Sequence, residues 1–371
     1  MGKEDIAILK RNLRYGTYFR CLLVRWASVT GRIVVRSSRQ QRYVIAMLSV
    51  HFLATFCHLY SITLHQINLI NHSEAAFGTI VYALSFLLRF EVPANPAAVQ
   101  VMNFVLTSTT AEINSSPVPK VYLLIRFFIY AARATGLLLA ILIGLLAIFA
   151  PCQPLLLNSI LCRDDLFLES TNCSTQWFVR ILSATVEFVV FLSTVIAAIH
   201  YSIEIMLKGV ANLWVDCKAF VKRYDKGLSK IGEYQNLRIF EKCLNSCTRS
   251  RIFLTCALGV PAAQLVIFYI AIKLFQSNEN DKLKASLCLW CYLMLLVFTM
   301  IMFSSPAQIN NLSRDWLDRC RWDLKKKYDR KVHKSLAPLR LEFGNNFVEQ
   351  LTPLVVQEFC VRQTVSGLLV T

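Results

Sequence analysis

Charge is sparse in this sequence. Of its 371 residues only 17% are Asp, Glu, Lys or Arg, while 55% are hydrophobic and the mean hydropathy is +0.47. A water-soluble chain of this length rarely combines so few charges with so much apolar surface, which excludes an ordinary soluble enzyme. Acidic residues are scarcer than basic ones, 23 against 40, for a net charge of +17. No nucleic-acid recognition module and no basic-aromatic pattern accompanies that excess, so nucleic acid is not an expected partner. Anionic inner-leaflet lipid is. Recognisable chemistry is missing as well. There is no P-loop, no His-Glu-x-x-His and no nucleophile elbow. Cys288-x-x-Cys291 lies in an apolar run without a second ligand pair, which reads as helix packing rather than a zinc or redox site. No catalytic activity, metal or cofactor is expected. The first 42 residues carry ten Lys and Arg and lack an apolar run long enough for a cleavable signal peptide. The first hydrophobic stretch is expected to act as its own insertion signal.

What is present is a series of seven apolar stretches: Tyr43–Gln66, Ala75–Phe90, Val121–Ala150, Phe178–Tyr201, Ile252–Phe275, Ala285–Phe303 and Phe347–Thr371. A bilayer-crossing helix needs roughly 20 mostly apolar residues. Val121–Ala150 is long enough to tilt or to project into the cytoplasm, and Gly259 with Pro261 predicts a kink in the fifth span. Lys and Arg are sorted between alternate gaps. The N-terminal segment holds ten, the gap after span four ten, and the gap after span six ten. The other side has none between spans one and two, Arg163 between three and four, and Lys282 and Lys284 between five and six. Basic loops stay in the cytoplasm, so the N-terminus is placed inside and the C-terminus outside. That is the reverse of a G-protein-coupled receptor. The predicted fold is an all-α, polytopic seven-transmembrane helix bundle of inverted topology. Residues 1–42 form a basic cytoplasmic segment and 43–303 hold helices one to six. Residues 304–346 form a cytoplasmic region, and 347–371 the last helix.

Charges within spans are expensive unless partnered. Arg133 lies twelve residues into span three from its inner end, and Glu187 nine residues into span four from its outer end. At about 1.5 Å per residue both fall near mid-membrane, and they are expected to pair or to share a water-filled cavity. Either could serve as a structural ion pair or as a ligand contact. Aromatic residues gather in the outer halves of the spans: Phe77 and Tyr82, Trp177, Phe178 and Phe188, Phe268 and Tyr269 beside Gln264, and Trp290 with Tyr292. They form either an interfacial belt with core packing or an outward-facing pocket for a small organic molecule. His51, His58 and His65 share one face of span one at a spacing too wide for a single metal, which points to packing. Asn71 and Asn172 begin sequons on the outer side and are glycosylation candidates. Cys152, Cys162 and Cys173 cluster in one outer loop, where one disulfide of open pairing is plausible.

The last span is too polar to face lipid on every side, carrying Glu349, Gln350, Gln357, Glu358, Arg362 and Gln363. Gly344 breaks the chain before it, and Glu358 and Arg362 stand four apart on one face. Lining a central pore would satisfy such a helix. The tail Phe359-Cys360-Val361-Arg362-Gln363-Thr364-Val365-Ser366-Gly367-Leu368-Leu369, with the inverted topology and the long basic loops, resembles the insect gustatory receptor family of the seven-helix insect chemoreceptor superfamily. The last helix of that family commonly reads Thr-Tyr, five apolar residues, Gln-Phe. Thr364 matches the Thr, Val365 replaces the Tyr, and no Gln-Phe follows. The tail is more like that of the divergent gustatory receptors than that of the sugar or carbon dioxide receptors. The resemblance implies a ligand-gated, non-selective cation channel, a homo- or hetero-tetramer in the plasma membrane of a sensory neuron, opened by a small organic, bitter-type tastant. It implies pore-facing candidates Gln363, Thr364, Ser366, Gly367 and Val370. It also implies an intersubunit anchor involving Trp316, Trp322 and Tyr328. Its ligand site would lie between helices two and six and draw on Phe77, Tyr82, Arg133, Glu187, Phe188, Gln264, Phe268, Tyr269, Trp290 and Tyr292. The competing readings are a metabotropic receptor, which needs the opposite orientation, and a secondary transporter, which predicts an internal repeat not seen here.

Overall fold

A computed structural model describes residues 3–64, 69–112, 120–153, 155–157, 173–276, 282–323 and 327–370. Seven long helices form the bundle: α2 (Ser38–Leu64), α3 (Leu69–Arg89), α5 (Lys120–Phe149), α6 (Cys173–Ala198), α9 (Phe253–Gln276), α10 (Lys282–Asp323) and α12 (Thr352–Val370). Among the described residues five helical stretches are long and apolar enough to cross a bilayer, starting at Ser38, Phe127, Arg180, Ile231 and Lys282. α3 and α12, of 21 and 19 residues, are also long enough at about 30 Å but more polar. Both are held by neighbours, α3 by α2, α6 and α9, and α12 by α9 and α10. The seven apolar stretches of the sequence thus correspond to seven helices, with α3 beginning six residues before the expected start.

Three of these helical runs are longer than a bilayer crossing needs. α6 runs through a π-helical stretch, Ile199–Leu207, into α7 (Lys208–Asp225). α8 (Ile231–Cys247) leads through a second π turn, Thr248–Ile252, into α9. α10 is 42 residues long and extends equally far beyond its apolar half. α7 and α8 carry Lys208, Lys218, Lys222, Arg223, Arg238 and Lys242, and the far half of α10 carries Arg314, Arg319 and Arg321. They pack together, α7 on α8 and α10, with α11 (Lys327–Lys334) against α8 and α10. At their centre Trp316 is 1% exposed, stacked on Tyr234 at 4.7 Å and edge-on to Phe220 at 4.9 Å. Trp316 therefore knits α7, α8 and α10 of one chain together and is not free to meet a neighbouring subunit. The side chains of Trp322 and Tyr328 lie outside the described residues.

The N-terminal segment closes the same end. α1 (Lys3–Tyr18) packs on α6, and the hairpin β1 (Val24–Ala27) and β2 (Arg32–Val35) pairs Val24 with Val35. Outside the anticipated spans, α4 (Pro96–Glu112) is too short to span and lies among β2, α7 and α8. Its start is nonetheless written in Asn95-Pro96. The Asn95 side chain accepts a hydrogen bond from the Ala97 N–H at 2.9 Å, and Pro96 fills the first helical position. Asn103 on α4 brackets Ile33, accepting from its N–H and donating to its carbonyl, both at 2.9 Å. The hairpin Glu342–Phe347, β3 (Glu342–Phe343) and β4 (Asn346–Phe347), precedes α12 and turns on Gly344 at φ +57°. Gly344 and Arg249 are tied through their backbones at 2.9 Å, and Arg249 pairs with Glu342 at 2.7 Å.

Candidate ligand chamber and the open face of the last helix

α5 and α6 run antiparallel, and their glycines fix the register. A Cβ at Gly144 would lie 3.5 Å from the Phe188 Cβ, and one at Gly136 would lie 2.5 Å from Val195 Cγ1. Glu187 is thus level with Gly144, while Arg133 is eleven residues lower, about 16 Å along the helix. The expected pairing of Arg133 with Glu187 does not occur. Arg133 instead pairs with Glu204 at 3.0 Å and donates to the Ile8 carbonyl at 3.2 Å, and Lys208 closes on the other oxygen of Glu204. The reason is length. α5 has 30 residues, about 45 Å, so its first turns project inward and Arg133 sits at the inner end of the bundle. That position also removes Arg133 from any outward-facing pocket.

Glu187 belongs to a chamber in the outer half, among α2, α3, α5 and α6. Its carboxylate accepts from the Tyr82 hydroxyl at 3.1 Å and from the Leu157 N–H. The His58 ring lies 4.1 Å from the Tyr82 ring, is fully buried, and has no partner on either nitrogen. Two turns lower, His51 meets Arg89 Nη1 at 3.0 Å and the Tyr82 carbonyl at 3.1 Å. Arginine only donates, so His51 Nδ1 accepts and Nε2–H faces the carbonyl. Arg89 also donates to Ser193 Oγ at 3.3 Å. The walls are small, with Ala54, Ala140, Ala147 and Ala184 buried beside Tyr82 and Phe191. The segment after α5 turns back into this space, and Leu156 is fully buried there. Cys152, just before it, is disulfide-bonded, and Gln153 meets Lys284 at 3.5 Å. Cys162 and the side chain of Cys173 lie outside the described residues.

Of the ten ligand candidates, Tyr82, Glu187 and Phe188 come together here. The others do not. Phe77 and Tyr269 pack in a second cluster between α3, α9, α10 and α12. Gln264 is fully buried and accepts from Thr299 Oγ1 at 3.1 Å. Phe268 stacks on Tyr292 at 4.4 Å on the α9–α10 face, and Trp290 donates to Thr135 Oγ1 at 3.0 Å. Two residues of the chamber escaped the ligand assignment: His58, read as packing, and Leu156, which carries no motif. Asn71 lies in the first turns of α3, half-buried, and Asn172 lies outside the described residues.

α12 is two-sided. Pro353, Cys360 and Thr364 form its buried stripe against α9, and a Cβ at Gly367 would meet Tyr269 at 3.9 Å. Thr364 and Gly367 therefore turn toward the bundle rather than toward the open face. Gln363 and Ser366 are exposed with Glu358 and Arg362, whose ion pair spans 2.9 Å at 68% and 73% exposure. The side chain of Val370 lies outside the described residues.

These features define a polytopic helix bundle with a buried polar cluster around Glu187 and a half-polar last helix left uncovered. No family model matches the sequence, and no curated protein is similar to it. The fold is similar to that of solved structures of the insect olfactory receptor OR5 from Machilis hrabei. The complex with eugenol has a TM-score of 0.60 and 12% identity, with 100% of this chain and 98% of that one covered. The structure described without a ligand has a TM-score of 0.60 and 11% identity over the same shares. At this identity the likeness is one of fold: the chain shares the seven-helix architecture of these structures.

Proposed function

We propose that this chain is a subunit of a gustatory-type chemoreceptor, a ligand-gated, non-selective cation channel of the plasma membrane of a sensory neuron. The observation that carries the reading is the open face of α12. Glu358 and Arg362 lie exposed on a helix at membrane depth, where a charge facing lipid costs at least about 2.5 kcal/mol. Four copies around an axis, identical or mixed with other gustatory receptors, would turn that face onto water and onto one another. Glu358, Arg362, Gln363 and Ser366 are then the pore-side residues. In this reading residues 1–42 and 304–346 are the cytoplasmic support, and 347–371 form the pore helix. A small organic tastant of the bitter type, bound in the outer half of each subunit, favours the open state by binding it better than the closed one. The eugenol complex of a receptor with this fold supports a ligand of that size.

Whole-cell recording tests this. Cells expressing the chain, with G-protein signalling blocked, should pass a cation current when a panel of plant bitter compounds is applied. Glu358→Lys should change its reversal potential in mixed monovalent and divalent solutions. An epitope after Thr371 should stain intact cells. Staining only after permeabilisation would remove the pore helix from the membrane and end the channel reading.

A further inference from the structure

The chamber around Glu187 is already filled, and what fills it is a piece of the chain with the form of a ligand. Leu156 is fully buried in a cluster that holds the small Ala54, Ala140, Ala147 and Ala184 beside Tyr82, Ile143, Val190 and Phe191. Leu155 lies over Gly78, where an added Cβ would stand 3.0 Å from its Cδ1. The next residue, Leu157, gives its N–H to Glu187. An apolar branched group with one adjoining N–H donor thus occupies a site made of small walls and a carboxylate. The occupant is not part of a transmembrane helix. It is a turn from the outer side, held at its base by Gln153 on Lys284. The site also keeps one demand that the turn does not meet. His58 is fully buried against Tyr82 with both ring nitrogens unpartnered, and a Cβ at Gly78 would be 3.7 Å from its Nδ1. Such a group costs free energy until something bonds to it.

We propose that Leu155–Leu157 is a displaceable plug, and that the ligand replacing it is a compact amine carrying a branched or ring hydrocarbon of about leucine size. The hydrocarbon takes the place of Leu156. The ammonium group takes the place of the Leu157 N–H on Glu187 and has a further N–H for His58. Among the described residues Glu187 meets a hydroxyl and a backbone N–H but no cation. An ammonium there makes a charge-assisted hydrogen bond, stronger than the neutral one it displaces. This assignment rests on the chamber being the ligand site of the proposed receptor, but it is tested by binding rather than by current.

The test uses the purified full-length protein in nanodiscs, with 3-methylbutylamine as probe and 3-methylbutanol as its isostere. The amine should bind about tenfold or more tightly than the alcohol. Glu187→Gln should remove that preference and leave the alcohol within about threefold. Leu156→Ala weakens the plug's own hold and should tighten amine binding by about tenfold or more. Gln153→Ala, at a half-exposed site outside the chamber, loosens the same turn without touching the core and should tighten it a few-fold. Equal affinity for amine and alcohol would overturn the ligand class. Unchanged or weaker amine binding in both Leu156→Ala and Gln153→Ala, in protein that still elutes as one species, would overturn the plug. Binding as expected without any evoked current would leave this inference standing and count against the channel. Currents evoked by other compounds, with no amine binding, would do the reverse.

Discussion

Replacing Glu204 by glutamine leaves two buried cations without their anion. The Glu204 side chain is 0% exposed, Lys208 is 5% exposed and Arg133 20%. Removing one partner of a buried ion pair costs about 3–5 kcal/mol, because the remaining charge stays in a poorly solvated site. Here one carboxylate serves two cations, which pushes the loss upward. Arg133 retains some water and a bond to the Ile8 carbonyl, and the glutamine oxygen keeps one acceptor, which push it down. The expected loss is about 4 kcal/mol. The assay heats the tagged full-length protein in detergent and follows the monodisperse peak by size-exclusion chromatography. The control is Arg223→Gln, which breaks a pair with Glu233 that is about half exposed and is worth at most about 1 kcal/mol. Glu204→Gln should lose its peak at a clearly lower temperature than this control. Adding Lys208→Met should recover a large part of the difference by removing the stranded charge. If Glu204→Gln and Arg223→Gln lose their peaks at the same temperature, the buried cluster does not hold α5, α6 and α7 together.

Three further outcomes follow from packing. Gly259→Ala places a Cβ 1.7 Å from Leu84 Cδ2 and 2.8 Å from its Cγ, so it should destabilise by about 1–3 kcal/mol despite alanine's better helix propensity. Leu84→Ala in the same chain should relieve that loss, read by the same thermal assay. Trp316→Ala removes the centre of the cytoplasmic aromatic cluster and should cost about 3–5 kcal/mol, with loss of expression as the first sign. Asn103→Ala strips both bonds that fix Ile33 and should cost about 1–3 kcal/mol locally. Its readout is faster trypsin cleavage at Arg25 and Arg32 with the membrane bundle intact.

The spans were legible because hydropathy acts residue by residue. The pairing of Arg133 was not, because it depends on where a helix begins relative to the bilayer. Counting inward from Val121 set the level too deep; the true level follows from Gly136 against Val195, a contact between helices. α4 was missed for a different reason. It is apolar but shorter than a bilayer crossing, and only Asn95-Pro96 marked its start. The charged spacing of Glu358 and Arg362 was legible and is met in α12. The inward turn of Thr364 and Gly367 was not, since it depends on which face α9 covers. Leu156 carries no sequence signal at all: its burial depends on residues of four helices that meet around it.

The two π-helical stretches give the molecule a mechanical property. A π turn holds one residue more than an α turn, which rotates the helix below it by about 100° relative to an unbroken helix. Ile199–Leu207 and Thr248–Ile252 each join a long apolar helix to a more polar one. Above and below them the apolar stripes are out of phase, so each half is free to present the face its own neighbours require. Substitutions that retune the outer chamber need not disturb the cytoplasmic scaffold. Deleting a single residue from either stretch, by contrast, would turn α7 or α8 as a rigid body and unseat Trp316 without altering one of its contacts in sequence.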